Sequence, residues 1–232
     1  MRARRLAILL PPSEGKAPGG DGPPWARGTG ALPSLDPARA KVLRAAKGGL
    51  AKAPTLAAAD RYTGVLYREL DAAGLPAALR RRFADQALIF SGLWGASSPA
   101  DPIPHYKLKM SASLPGLGKL STFWRPTLTA ALADRLAGHT VWDLLPIEHS
   151  AGWLPDEVPY ARRFTVRFVG ADGQTVAHWN KLLKGALVRH ILEAQPTSPA
   201  ELAAFDHPLG YQYDAASSIL DADPVQVVFR AG

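Results

Sequence analysis

The sequence predicts an α+β fold: a single compact domain over residues 1–232, with a mixed sheet surrounded by helices. Short apolar runs typical of buried strands lie near both ends of the chain and in its middle. Stretches of helical length separate these runs, and no disordered linker or internal repeat divides the 232 residues. Strands near both ends indicate one sheet that includes both ends of the chain.

The first third of the chain opens on a strand. Residues 5–10 are predicted as a buried strand rather than a signal segment, because the apolar stretch is short and meets Pro11-Pro12. Glycine and proline in 11–33 indicate an irregular surface loop. Asp36-Pro37 then begins a helix, with the aspartate as N-cap and the proline at the first helical position. Helices are predicted over 36–47, 56–73 and 76–87.

The remaining elements follow from apolar patterning and turn residues. A helix-period pattern predicts helices over 127–136 and 181–194, and Ser198 with Glu201 marks a short capped helix. Two alternating runs flank Gly170-Ala171-Asp172-Gly173, which predicts a β-hairpin. The strands are predicted over 87–90, 140–145, 164–169, 175–179 and 225–230.

Composition excludes several function classes. The chain has no cysteine, which excludes disulfides, thiolate metal sites and a cysteine nucleophile, and is consistent with a cytoplasmic protein. No apolar run approaches the roughly 18 residues of a membrane span, so we expect no membrane partner. The dispersed histidines lack a metal-binding spacing, so we expect no metal site and no cofactor.

Positive charge is concentrated in the first half of the chain. Residues 1–120 hold 18 lysines and arginines against 8 acidic residues, whereas residues 121–232 hold 9 against 12, and the net charge is +7. Such an asymmetry indicates an anionic partner for one face. The alternative is arginine on solvated helical faces, for example Arg80 to Arg82.

Two short segments suggest a phosphate site near the first strand. Ser13 to Lys16 follows that strand directly and can present backbone N–H groups and a cation to a phosphate, although the Walker A spacing is absent. The alternative is an exposed turn. Gly64, in Tyr62-Thr63-Gly64, costs a helix about 1 kcal/mol relative to alanine. It indicates either close approach of another backbone or a ligand, or a simple helix break.

The densest stretch of candidate residues lies in 91–110. Ser91, Gly92 and Gly95 form a tight turn that can expose backbone N–H groups. Lys107 and Lys109 are two residues apart and share a face of an extended segment. With Tyr106 they suit base stacking combined with phosphate contact. The alternative places Trp94 and Tyr106 in the core and leaves the lysines solvated.

Two further segments of the sequence carry weaker functional signals. Residues 114–119, Leu-Pro-Gly-Leu-Gly-Lys, match the hairpin of a helix-hairpin-helix, but the segment before them lacks a helix pattern. Glu148 and His149, with Asp143 nearby in sequence, could form an acid–base pair or a metal site, or His149 could be structural. No G-x-S-x-G elbow is present.

Together these segments resemble the YaaA family, the bacterial peroxide stress proteins. The resemblance spans nearly the full length in the expected order, and this colinearity is more specific than any one motif. The motifs that carry it are Leu9 to Lys16, Tyr62-Thr63-Gly64, Ser91-Gly92-Leu93-Trp94-Gly95, Pro104 to Met110, Phe123-Trp124, Lys181 to Gly185, Phe205 and Gly210-Tyr211.

The resemblance implies a compact α+β fold with a helix-hairpin-helix-like element, which the turn at 91–95 fits better than 114–119. It also implies a cytoplasmic protein that binds duplex or distorted DNA and limits iron-driven oxidative damage. Two motifs depart from the family. Asn-Leu-Ala-Ser-x-Glu-Tyr is replaced at 143–149, where only Glu148 survives, and Lys-x-x-Arg-Gly carries Lys184 in place of the arginine.

Two functions therefore compete at the sequence level. The first is DNA binding, with phosphate contacts from lysines of both halves and backbone donors from the 91–95 turn. The second is an enzyme acting on a nucleotide or another phosphorylated small molecule. Its pocket would be lined by Lys16, Tyr62, Lys107 and Glu148, with Glu148 as the acid–base residue. The predicted phosphate-contacting lysines are Lys16, Lys107, Lys109, Lys181 and Lys184.

Overall fold

A seven-stranded mixed sheet forms the centre of the protein, in the computed structural model that describes residues 5–46, 48–176 and 179–232. Its strands are β1 (Leu6–Leu10), β3 (Ala87–Ser91), β4 (Gly95–Ser97), β8 (Thr140–Asp143), β9 (Arg162–Val169), β10 (Tyr211–Tyr213) and β11 (Val225–Ala231). Their order is β10-β11-β9-β8-β1-β3-β4, with the five inner strands parallel and the two edge strands antiparallel. The mixed sheet is confirmed, and it contains strands from both ends of the chain.

Four shorter strands form two small pairs beside this sheet. They are β2 (Thr55–Ala57), β5 (Pro102–Pro104), β6 (Ser113–Leu114) and β7 (Gly118–Lys119), paired β2 with β5 and β6 with β7. The helices are α1 (Asp36–Ala45), α2 (Ala58–Arg61), α3 (Val65–Leu70), α4 (Ala77–Gln86), α5 (Leu120–Leu136), α6 (Ile147–Ser150) and α7 (Asn180–Ala194).

Most predicted elements are present with small shifts of their ends. All five residues of β1 are buried, as expected of a parallel strand covered on both faces. Helix α1 begins at Asp36, but Asp36 is its first helical residue and not its N-cap: its carboxylate accepts from the Gly28 amide and pairs with Arg39 at 2.8 Å. The predicted end of this helix at Lys47 lies outside the described residues.

Two predicted elements are wrong in extent. The helix expected over 56–73 is divided into β2, α2 and α3, because Tyr62 pairs with Lys16 and leaves the helical path. Helix α5 begins at Leu120 and not at 127, and it continues through Pro126, which lies inside the helix. At the predicted 164–179 hairpin, Val169 pairs with Thr175, but Ala177 and His178 lie outside the described residues.

The helix-hairpin-helix element is not confirmed. The 114–119 segment is the turn between β6 and β7, and the residues 105–112 before it are not helical. The 91–95 turn joins the antiparallel strands β3 and β4. Neither turn is flanked by two helices.

Candidate functional site

The carboxyl ends of three neighbouring strands define the edge of the sheet where the candidate residues meet. Strand β1 lies between β3 and β8, so the chain leaves β1 toward one side and returns on the other. In open sheets of this kind, ligands bind outside the carboxyl ends of the strands at such a switch point. The segments that follow these strands carry Lys16, the 91–95 turn and Glu148.

The loop after β1 is held against the Tyr62-Thr63-Gly64 segment. The Thr63 amide donates to the Gly15 carbonyl at 3.1 Å, and the Gly64 amide donates to the Ser13 hydroxyl at 3.2 Å. A Cβ on Gly64 would lie 2.6 Å from the Ser13 Cβ. The sequence left open a close approach or a helix break at Gly64, and both are present: the Ser13 side chain approaches Gly64 closely, and Gly64 lies between α2 and α3, outside either helix.

Lys16 is a half-buried amine at the end of this loop. Its Nζ donates to the Ser13 carbonyl at 2.7 Å and lies 4.4 Å from the ring centre of Tyr106 and 5.5 Å from that of Tyr62. Burial lowers the pKa of Lys16 to about 8, against the opposing influence of Glu14. Lys16 therefore combines a partly desolvated charge with a fixed position.

Tyr62 and Tyr106 form a buried hydroxyl cluster beneath Lys16. Their phenolic oxygens are 2.6 Å apart, and the buried Ser91 hydroxyl lies close enough to lower the pKa of both phenols in part. Burial raises the pKa of Tyr62 well above its usual value and that of Tyr106 to about 12. Tyr106 is only 4% exposed, so the base-stacking role predicted for it is wrong: Tyr106 and Trp94 are core residues.

All five residues of the 91–95 turn are buried. A Cβ on Gly92 would lie 2.5 Å from the Lys109 carbonyl oxygen, and one on Gly95, whose φ is +69°, would lie 2.8 Å from the Trp124 ring. Trp124 donates to the Gly92 carbonyl at 2.9 Å. The phosphate-contacting role predicted for Ser91, Gly92 and Gly95 conflicts with this burial; they pack the 107–110 segment against α5 instead.

Three exposed lysines act electrostatically on the Glu14 carboxylate. Lys109 Nζ lies 2.9 Å from Glu14 Oε1, and both side chains are largely solvated. The hydrogen bond and charge of Lys109 lower the pKa of Glu14, and the charges of Lys181 and Lys107 add to this effect. We call these three residues, which come from both halves of the chain and act on one carboxylate, the lysine cluster: Lys107, Lys109 and Lys181.

Lys184, the fifth predicted lysine, is half-buried and bonded to the protein. Its Nζ donates to the Leu144 carbonyl at 2.9 Å, and burial lowers its pKa. Asp143, at the end of β8, bonds to Arg163 at 3.2 Å and accepts from the Leu145 amide at 3.0 Å. Lys184 therefore fixes the segment after β8 in place.

Gly185 permits this arrangement by letting α7 cross α3 closely. A Cβ at Gly185 would lie 2.3 Å from the Leu66 carbonyl oxygen and 2.8 Å from the Glu69 Cβ. Only a glycine fits such a crossing. The Lys-x-x-Lys-Gly pattern therefore places two lysines at the edge of the sheet with the glycine as the contact to α3.

Glu148 is held beside the lysine cluster by Ser111. Its Oε1 accepts from the Ser111 hydroxyl at 2.7 Å and from the Ser111 amide at 3.1 Å. Burial acts to raise the pKa of Glu148, but the Ser111 hydrogen bonds and the charges of His149 and Lys109 lower it overall. Sequence reasoning missed Ser111, because no motif marks a residue 37 positions from its partner.

The principal cavities described lie away from these residues. One, of about 10 Å³, is lined by residues that include Trp25, Arg39, Trp94 and Asp101. The other is an open groove of about 490 Å³ beside Arg80 and Arg81. Neither contains Lys16 or Glu148, so the nucleotide-enzyme alternative finds no support in them.

The fold and this edge define a class: a protein built on a mixed α/β sheet, with lysines gathered at the carboxyl ends of its central strands. The sequence profile of the family described as "Peroxide stress protein YaaA" matches residues 32–217. The chain belongs to this family. The resemblance inferred from its motifs is therefore confirmed.

Individual relatives agree with this assignment. The UPF0246 protein SCO2297 of Streptomyces coelicolor is 38% identical over 240 residues, covering 90% of this chain and 92% of that protein. The UPF0246 protein CE1889 of Corynebacterium efficiens is 34% identical over 225 residues, covering 84% and 87%. The uncharacterized protein Cj0984 of Campylobacter jejuni is 28% identical over 158 residues, covering 68% and 62%.

Helix length and hydropathy bear on membrane insertion. In the described part of the chain, no helix is both long and apolar enough to cross a membrane.

Proposed function

We propose that this YaaA-family protein binds duplex or distorted DNA in the cytoplasm and thereby limits iron-driven damage during peroxide stress. The observation that carries the proposal is the lysine cluster: Lys109 pairs with Glu14 at 2.9 Å, and the solvated Lys107 and Lys181 lie near enough for their charges to act on the same carboxylate. Several cations on one surface are the electrostatic footprint of phosphate binding.

The five lysines at this site fall into two classes that differ in solvent exposure. Lys107, Lys109 and Lys181 are exposed and can reach phosphates without losing a buried contact. Lys16 and Lys184 are half-buried and already donate to Ser13 and Leu144, so they fix the segments after β1 and β8. DNA affinity should therefore depend most on the three exposed lysines.

The exposed carboxylate of Glu14 reduces the positive charge of this surface. Its carboxylate pairs with Lys109 in the free protein and would face the same phosphates that the lysines bind. A phosphate that replaces Glu14 as the partner of Lys109 has to displace this exposed ion pair, which contributes little stability of its own. Glu14 therefore reduces non-specific affinity without preventing binding.

The experiment is a fluorescence-anisotropy titration of a labelled duplex with the wild type and the Lys107→Ala/Lys109→Ala/Lys181→Ala variant. A matched control removes three other exposed cations, with the changes Lys41→Ala, Arg44→Ala and Lys52→Ala. We expect the cluster variant to lose most of its affinity and the control to retain most of it. Equal losses would mean that the net charge of the whole protein, rather than this edge, attracts the DNA.

A further inference from the structure

Ile147 is the most solvent-exposed large apolar side chain in the described part of the chain. It is 90% exposed, whereas the next such residue, Ile219, is 48% exposed. An exposed isoleucine gains none of the favourable free energy that comes from removing its apolar surface from water. Ile147 lies at the carboxyl edge of the sheet, four residues after β8.

The backbone that carries Ile147 is fixed on both sides. Before it, the buried Leu144 donates its amide to the Leu9 carbonyl at 3.0 Å and accepts from Lys184. After it, Glu148 is bonded to Ser111, and His149 is buried. Pro146 precedes Ile147 directly and restricts the chain further. The exposed side chain therefore stands on a rigid base and loses little backbone freedom when it is bound.

The lysine cluster lies near the segment that carries Ile147. Glu148, the residue next to Ile147, hydrogen-bonds to Ser111, which lies two residues after Lys109, and Lys109 contacts Glu14 at 2.9 Å. A DNA strand whose phosphates contact the cluster would thus pass beside Ile147. Apolar side chains placed in this way in DNA-binding proteins enter base steps, partly unstack them and bend the duplex.

We propose that Ile147 is a wedge that enters a base step of DNA held by the lysine cluster. The proposal rests on the DNA binding proposed above and gives it a substrate preference. Unstacking an intact step is costly, whereas a gap or nick is already partly unstacked. The protein should therefore prefer gapped duplexes over intact ones of the same sequence.

The test uses two duplexes of one sequence, intact and with a one-nucleotide gap, each carrying 2-aminopurine beside the gap position. The proteins are the wild type, Ile147→Ser and the matched control Ile219→Ser, whose residue pairs with Gln226 near the amino end of β11. We expect the wild type and the control to prefer the gapped duplex and to increase its 2-aminopurine fluorescence. Ile147→Ser should lose about tenfold in affinity for the gapped duplex, which corresponds to burying one isoleucine side chain, and should leave the fluorescence unchanged.

The outcomes separate this proposal from the one on which it rests. If Ile147→Ser binds both duplexes as the wild type does and still increases the fluorescence, the wedge is wrong and DNA binding stands. If the wild type binds neither duplex, DNA binding fails and the wedge fails with it. Thermal unfolding of Ile147→Ser should match the wild type, because the side chain has almost no protein contacts to lose.

Discussion

The crossing of α7 on α3 gives the sharpest stability prediction. In Gly185→Ala, the new Cβ would lie 2.3 Å from the Leu66 carbonyl oxygen, 2.8 Å from the Glu69 Cβ and 3.1 Å from the Leu70 amide nitrogen. Two of these three neighbours are backbone atoms, so no side-chain rotation relieves the overlap. The two helices have to separate by about an ångström, a distance that close-packed interiors do not tolerate without loss.

The magnitude follows from two opposing effects. Inserting a methyl group into a packed contact costs about 1–3 kcal/mol, and an overlap with backbone belongs at the upper end of that range. Replacing glycine by alanine inside a helix stabilises the helix by about 1 kcal/mol, because alanine has the higher helix propensity. The net loss is about 2 kcal/mol, which for a protein of this size lowers Tm by about 4–8 °C.

Thermal unfolding of the wild type, Gly185→Ala and Ala186→Gly measures this effect. Ala186→Gly changes helix propensity at the neighbouring position in the opposite sense and without an overlap, so it calibrates the propensity contribution. We expect both variants to melt below the wild type, and Gly185→Ala to bind DNA more weakly because Lys181 moves with α7. A Tm for Gly185→Ala at or above that of the wild type would refute the close-crossing argument.

Three further changes test the residues at the edge of the sheet. The pKa of Lys16 is lowered from 10.5 to about 8, so between these pH values the unfolded chain still holds a proton that the folded protein has released. The free energy of unfolding of the wild type should therefore rise with pH between about 8 and 10.5. Urea unfolding should show a smaller rise in Lys16→Met, which lacks this proton. Glu14→Gln should tighten DNA binding severalfold in an anisotropy titration, since it removes the carboxylate that competes with phosphate for Lys109; unchanged or weaker binding would contradict this role. Tyr106→Phe should cost about 1–2 kcal/mol in urea unfolding, because the buried Tyr62 phenol loses its 2.6 Å partner, whereas a cost near zero would show that the cluster contributes no stability.

The sequence predicted those elements whose pattern is local. The continuous apolar run of β1 and the amphipathic pattern of α7 each specify one structure. The 56–73 segment does not, because its helix propensity is overridden by the pairing of Tyr62 with Lys16, a contact across 46 residues. The sequence prediction of α5 began at 127, directly after Pro126, whereas the helix continues through that proline from Leu120, a position that proline normally disfavours because it removes a helical hydrogen bond.

The candidate site shows the same division. The lysines are visible in the chain through charge and motif order, and their phosphate contacts stay a prediction. The expectation of a close approach at Gly64 assumed a helical glycine, whereas Gly64 has extended backbone before α3. The sequence left the burial of Tyr106 and Trp94 as one of two alternatives and could not decide between them, because the burial of this region depends on α5 and on the carbonyl of Lys109 meeting Gly92. The exposure of Ile147 was equally hidden, since an isoleucine in sequence suggests a core residue.

The salt dependence of DNA binding tests the central claim most directly. If Lys107, Lys109 and Lys181 each contact a phosphate, the logarithm of the binding constant falls with the logarithm of salt concentration, and their combined replacement by alanine makes this slope shallower by about 2.7. The control variant at Lys41, Arg44 and Lys52 should keep the wild-type slope. A cluster variant with the wild-type slope would show that phosphates are not bound at this edge of the sheet.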